Sequence, residues 1–178
     1  MNQTATERLP DHVISIHIAV PVQRVWDEIT KTGRVQKSLY NTVLDTELRR
    51  GAKLRYYSPD RKRVFIVGEI VEVVPPHTFS HTYQMLINGV EPPTLVTWTL
   101  KEENGGTRVT IRHSGYTSAH KAPEKVAGGW RQILGFLKTE LETGDIPFSA
   151  KLMYGMMGAF MFMLRRETKT EVVNELGL

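Results

Sequence analysis

A chain of 178 residues, 40% hydrophobic and 24% charged, suits one globular domain able to bury roughly 70% of its unfolded surface, which excludes disordered, collagen-like and low-complexity readings. It contains no Cys, so disulfides, thiolate catalysis and Cys-bound zinc fall away together. Its formal net charge of +4 suits solubility and mild attraction to anions but is too small to argue for nucleic acid.

The N-terminus, Met1 to Pro10, is polar and has no apolar h-region, so it does not read as a secretory signal, and the expected compartment is the cytoplasm. Val13 to Val20 reads as a strand with Ile14, Ile16 and Ile18 on one face. Pro21 then opens a helix striped by Val22, Val25, Trp26 and Ile29. Val43 to Leu48 and Ala52 to Tyr57 read as short strands around Gly51, and Ser58-Pro59-Asp60 as a turn. A strand from Arg63 to Val74 stops at Pro75-Pro76, and His77 to Ile87 alternates with Phe79, His81, Tyr83 and Met85 on one face. After the loop Asn88 to Pro93, Thr94 to Lys101 places Val96, Trp98 and Leu100 together. Asn104-Gly105-Gly106 signals a hairpin into Thr107 to Tyr116, where Val109, Ile111 and His113 share a face. Pro123 starts a long helix striped by Val126, Trp130, Ile133, Leu134, Leu137 and Leu141, with Gly144 as its C-cap. Strand, helix, a run of consecutive strands and a long closing helix make an α+β pattern with an antiparallel sheet, and a twisted sheet crossed by such a helix leaves room for an apolar cavity.

Several of these segments carry a resemblance. Val20-Pro21-Val22 through Val25-Trp26 and Ile29-Thr30, Gly68-Glu69-Ile70 with Val73-Val74-Pro75-Pro76, and Val96-Thr97-Trp98-Thr99-Leu100 occur in order. Gly106 through Tyr116, Gly129-Trp130, Ile133-Leu134, Leu137-Lys138, Leu141-Glu142 and Gly144 follow. Together they are similar to the START/Bet v 1-like (SRPBCC) superfamily, in the branch of the activator of heat-shock-protein-ninety ATPase. A tryptophan pair often found there after the first helix is replaced here by Ser38-Leu39-Tyr40. The resemblance implies a helix-grip fold, a curved antiparallel sheet wrapped around the long C-terminal helix, over residues 1–144, with a pocket for apolar small molecules. Superfamily members include lipid carriers, hormone receptors, polyketide cyclases and chaperone activators, so the fold implies a pocket more firmly than a reaction.

The expected pocket is lined by Phe79, His81, Tyr83, Met85, Val96, Trp98, Ile111 and His113 from the sheet and by Trp130, Ile133, Leu134 and Leu137 from the helix. A small hydrophobic or amphipathic ligand, lipid-like or aromatic, is the leading expectation. The alternatives are an interaction protein that stimulates a chaperone ATPase in a stress response, and a cyclase or hydrolase using His81 or His113 as its acid–base group. No orienting partner for either histidine is defined by a motif, so core histidines satisfied by their neighbours are the plainer reading. No cofactor is expected. Glu69 and Glu72 fall on opposite strand faces unless a bulge intervenes, and His12 and His17 do likewise, so neither pair makes an acid–base couple or a metal site. The basic run Arg49, Arg50, Lys53, Arg55, Arg61, Lys62 and Arg63 is interleaved with Asp45, Glu47 and Asp60 and reads as a solvated strand edge.

Residues 145–178 lie beyond the resemblance and read as a Met-rich helical extension. Seven Met occur in the chain, and Met153, Met156, Met157, Met161 and Met163 fall between Leu152 and Leu164. At ~1.5 Å per residue this uncharged stretch reaches about 20 Å, too short to span a bilayer as one helix. Its readings are packing near the cavity mouth, a homodimer contact through Leu152 to Leu164, or shallow membrane association, the last being disfavoured because the stretch has no polar face. From Arg165 onward the tail is charged and reads as a short terminal helix or a partly disordered end.

Overall fold

The computed structural model describes residues 7–178 apart from 88 and 90. Met1 to Thr6 of the N-terminal reading and Asn88 and Val90 of the loop lie outside the described residues. Strand β1 (His12–Ile18) leads into α1 (Val22–Ile29), which buries Val22, Val25, Trp26 and Ile29. Then come β2 (Val35–Gln36), β3 (Thr42–Thr46), β4 (Lys53–Tyr57), β5 (Val64–Val74), β6 (Thr78–Met85), β7 (Thr94–Glu103) and β8 (Gly106–Ser114). The strands form one antiparallel sheet in the order β1-β8-β7-β6-β5-β4-β3-β2. Only the two-residue β2 has no counterpart in the sequence pattern. Consecutive strands are therefore neighbours, with β1 added beside β8, as short hairpin connections require.

Helix α2 (Pro123–Thr143) crosses the concave face. Its buried Trp130, Ile133, Leu134, Leu137 and Leu141 recur at helical spacing and join Phe79, Val96, Trp98 and Ile111 in one core. Gly144 ends the helix at φ 91°, a left-handed conformation that favours glycine, and its N–H donates to the Glu140 carbonyl at 2.9 Å. The last turns are tied to β1 and the residue after it: Lys138 Nζ donates to the His17 carbonyl at 2.9 Å, and the Ala19 N–H donates to Glu142 Oε1 at 2.7 Å.

Two bulges and one glycine curl the sheet. Tyr56 pairs with Ile66 but Tyr57 with Val64, leaving Phe65 as an extra residue. Ile70 pairs with His81 but Glu72 with Ser80, leaving Val71 extra. Such insertions raise the local twist. Between them a Cβ at Gly68 would overlap the Thr82 carbonyl oxygen, so β5 and β6 approach here only because residue 68 lacks a side chain. The second bulge lies between Glu69 and Glu72, so the alternation that would part them is broken and both are exposed to solvent.

The core contains one extended polar chain. The Trp130 indole N–H donates to His113 Nδ1 at 2.8 Å, which fixes the proton on Nε2. Nε2 then donates to Thr94 Oγ1 at 2.7 Å, and that hydroxyl donates to the Tyr83 carbonyl at 2.9 Å. The Tyr116 hydroxyl shares Nδ1 at 2.8 Å. His81 holds its own proton on Nδ1, donated to the Thr82 carbonyl at 2.8 Å, while its Nε2 is buried without a partner. Burial disfavours the imidazolium at both sites, lowering His81 to about 4 and His113 to about 3.

The C-terminal residues pack on both sides of the sheet. Helix α3 (Phe148–Ala159) and a 3-10 turn (Met161–Met163) pass the mouth of the concave side, and a second 3-10 turn (Arg166–Thr168) and α4 (Thr170–Glu175) lie against the opposite face. There Val173 is fully buried among Val43, Tyr57, Val64, Val67 and Leu86. Arg49, Arg50, Arg61 and Lys62 are solvated as the basic run was read, but Lys53 and Arg55 are not on a sheet edge, because β4 lies between β3 and β5. Its Lys53 Nζ donates to the Gly177 carbonyl at 2.6 Å, and Arg55 donates to Asn174 Oδ1 at 2.6 Å and to the Leu178 backbone oxygen. Arg63 donates to the Arg165 carbonyl at 3.1 Å and to Thr168 Oγ1 at 3.0 Å.

Two outcomes are expected. Because His81 and His113 have folded values below the ordinary 6.5, the unfolded chain binds more protons below that pH, and stability falls as pH drops from 6.5 toward 4. The loss between about pH 7 and 5 is about 2 kcal/mol per imidazole. Denaturant melts at the two pH values measure it, and imidazole resonances titrating near the ordinary value would contradict it. Val173→Asp places an unpaired carboxylate on the outer face and costs about 3 kcal/mol. Limited proteolysis should then cut residues 165–178 faster than in the unchanged protein.

Candidate functional site

The concave side does not close completely. Toward the β4–β6 half, α2 and the sheet enclose a cavity of about 510 Å³, within the range of drug-sized ligand sites. Its walls are Tyr56 on β4, Phe65 and Ile66 on β5, and Tyr83 and Met85 on β6, with Ile87 beyond. Helix α2 supplies Lys125, Val126, Gly129, Trp130 and Ile133; Leu39, Tyr40 and Thr42 close one end. Met157, Phe160, Met161 and Leu164 of the C-terminal arm form the mouth.

Of the residues expected from the sequence, Tyr83, Met85, Trp130 and Ile133 line this space. Phe79, His81, Val96, Trp98, Ile111, His113, Leu134 and Leu137 face the same interior but are packed side chain to side chain away from the cavity. The correction has a geometric cause. Strand alternation assigns a face, whereas α2 runs closest to β1 and meets β8 and β7 through Trp130, leaving the open space on the β4–β6 side. Neither His81 nor His113 reaches the cavity, so the condition for acid–base chemistry by either ring is not met.

The arm follows the first of its sequence readings on one side only. Ala150 packs with Phe136 and Ile146, Met153 and Tyr154 lie against them, and the Tyr154 hydroxyl donates to the Lys37 carbonyl at 2.7 Å. Much of the rest of the stretch is open: Leu152 is 57% exposed, Phe160 60% and Met163 69%. A single chain offers α3 only one surface to pack on.

Sequence reasoning missed Tyr56, although alternation with buried Leu54 on β4 carries the signal. Phe65 was beyond reach, because the bulge turns both it and Ile66 to the cavity. Most polar groups in the wall are engaged. Tyr40 donates to Gln132 Oε1 at 2.7 Å across Gly129, where a larger residue would crowd the phenol, and the Thr42 hydroxyl donates to the Leu39 carbonyl at 2.7 Å. The Trp130 indole is held by His113. Lys125 is the one charged side chain of the lining and sits at the solvent-exposed rim. The Tyr56 and Tyr83 hydroxyls make no hydrogen bond among the described residues, yet neither oxygen is sealed off by protein atoms, so each opens on the cavity. Burial pushes both phenols well above their ordinary value, keeping them protonated. Among the described residues no group of His, Asp or Glu could hold a metal ion, and no helix is long and apolar enough to cross a membrane.

Comparisons with known proteins agree with this architecture. DynU16, described as a putative protein in the dynemicin biosynthetic locus, superposes with a TM-score of 0.63 at 24% identity over 76% of this chain. This chain covers 48% of DynU16, about half its length. MLL2253 from Mesorhizobium loti gives 0.65 at 21% identity, over 77% of this chain and 100% of that one. An Aha1 dimer from Colwellia psychrerythraea gives 0.62 at 15% identity, over 76% and 98%. At such identities these likenesses establish the helix-grip fold alone. No curated protein matches the chain. The sequence profile described as Activator of Hsp90 ATPase homolog 1-like protein matches residues 19–142, well over half the chain, and the protein therefore belongs to that family.

Proposed function

We propose that this protein binds a small hydrophobic or amphipathic molecule between the sheet and α2, with the cytoplasm as its expected compartment. The observation that supports this is the cavity of about 510 Å³, walled by aromatic and aliphatic side chains and carrying its one charge, Lys125, at the rim. An apolar body is favoured inside by loss of water-exposed surface, and a polar or anionic end is favoured at the ammonium. A role in stimulating a chaperone ATPase rests on the family's name, and no residue described above carries it. N-phenylnaphthylamine, a dye that brightens in apolar sites, should bind the native protein. Val126→Trp, which fills the cavity from α2, should weaken that binding at least tenfold with little change in the melting temperature. Equal binding by both proteins would place the dye elsewhere and count against the reading.

A second reading concerns the arm. Phe148, Leu152 and Met156 recur every fourth residue on the exposed side of α3, and such a stripe suits a contact with a second copy of the chain. One structural neighbour is described as a dimer. Light scattering across a concentration series should show a dimer, and Leu152→Glu with Met156→Glu should return it to a monomer. A monomer at every concentration removes this reading without touching the first.

A further inference from the structure

The cavity is apolar, but its wall is not chemically blank. Tyr56 is 5% exposed and Tyr83 is 7% exposed, so both are more than nine-tenths buried, and neither hydroxyl has a hydrogen-bond partner among the described residues. They stand on either side of His81, with ring centroids 6.1 Å and 6.4 Å from the imidazole. On the intervening strand β5, Ile66 pairs with Tyr56 and lines the same cavity as both rings. An unpaired hydroxyl in an apolar wall is costly, and so persists where something else satisfies it.

Three features narrow what that is. A phenol donates a hydrogen bond better than it accepts one, because its oxygen lone pair is delocalised into the ring, so the two hydroxyls favour an acceptor. The acceptor meets no compensating cation at this end: His81 and His113 are held neutral, and Lys125 is on the rim. A carboxylate there would be a buried, unpaired charge. The surrounding Phe65, Trp130 and tyrosine rings suit a flat, polarisable body.

Resting on the ligand-binding reading above, we propose that the Tyr56 and Tyr83 hydroxyls form a donor pair for a neutral carbonyl oxygen, and that the ligand class is aryl ketones and quinone-like molecules bound carbonyl-inward. A fatty acid, by contrast, can place its carboxylate only at Lys125.

Prodan, a dimethylaminonaphthalene bearing a ketone, tests this. Its emission moves to the red when the carbonyl accepts a hydrogen bond. Bound to the native protein it should emit to the red of its position in alkane, and its infrared carbonyl stretch should be lowered. In Tyr56→Phe with Tyr83→Phe the emission should shift to the blue and affinity should fall between about tenfold and a hundredfold, up to about tenfold for each of the two lost hydrogen bonds. N-phenylnaphthylamine, which has no carbonyl, should bind both proteins equally. If prodan binds both proteins alike with unshifted spectra, the donor pair is overturned while the ligand-binding reading stands. Should neither dye bind the native protein, both fail. The infrared measurement uses native protein, so an unshifted stretch overturns the proposal even where the variant misfolds.

Discussion

The hydrogen bond from the Trp130 indole to His113 Nδ1 is a buried polar tie between the long helix and β8, and much else depends on it. It draws α2 down onto the β7–β8 side, where Trp98 and Trp130 meet edge to face at 5.7 Å. It also sets the imidazole's tautomer and, through Thr94, reaches the backbone of β6. A buried chain of this kind holds its parts in one arrangement because leaving any member unpaired is expensive. With the helix pinned on one side and the sheet curling away on the other, space remains over β4 to β6.

The curl is itself a product of irregularity. Regular pairing would turn Phe65 outward; the bulge there brings it to the wall beside Ile66. Gly68 lets β5 and β6 close up where the Thr82 carbonyl would otherwise be blocked, and that same carbonyl receives the His81 proton. The tautomer of His81 and the shape of the cavity thus share a cause.

The sequence made legible what depends on periodicity. Strand alternation assigned Phe79, His81, Tyr83, Val96, Trp98, Ile111 and His113 to the interior, and helical spacing assigned Trp130, Ile133, Leu134 and Leu137; all are inside. Depth along the groove was not legible, because period two says which face a residue occupies and nothing about how close the opposing helix comes. Hence Phe79 and Trp98 are packed solid while Tyr83 borders open space. The basic residues Arg55 and Arg63 misled for a related reason: their role as donors to tail carbonyls depends on contacts more than a hundred residues apart, which no local pattern encodes.

The segment over the cavity mouth is anchored at both ends. Near its start the Tyr154 phenol grips the Lys37 carbonyl, and past its end Arg63 grips Arg165 and Thr168. A strip of chain fixed at two points cannot swing aside like a door. It can only bow, as a strap does, and the width it yields is set by the bending of unbranched methionine side chains rather than by release of the tail.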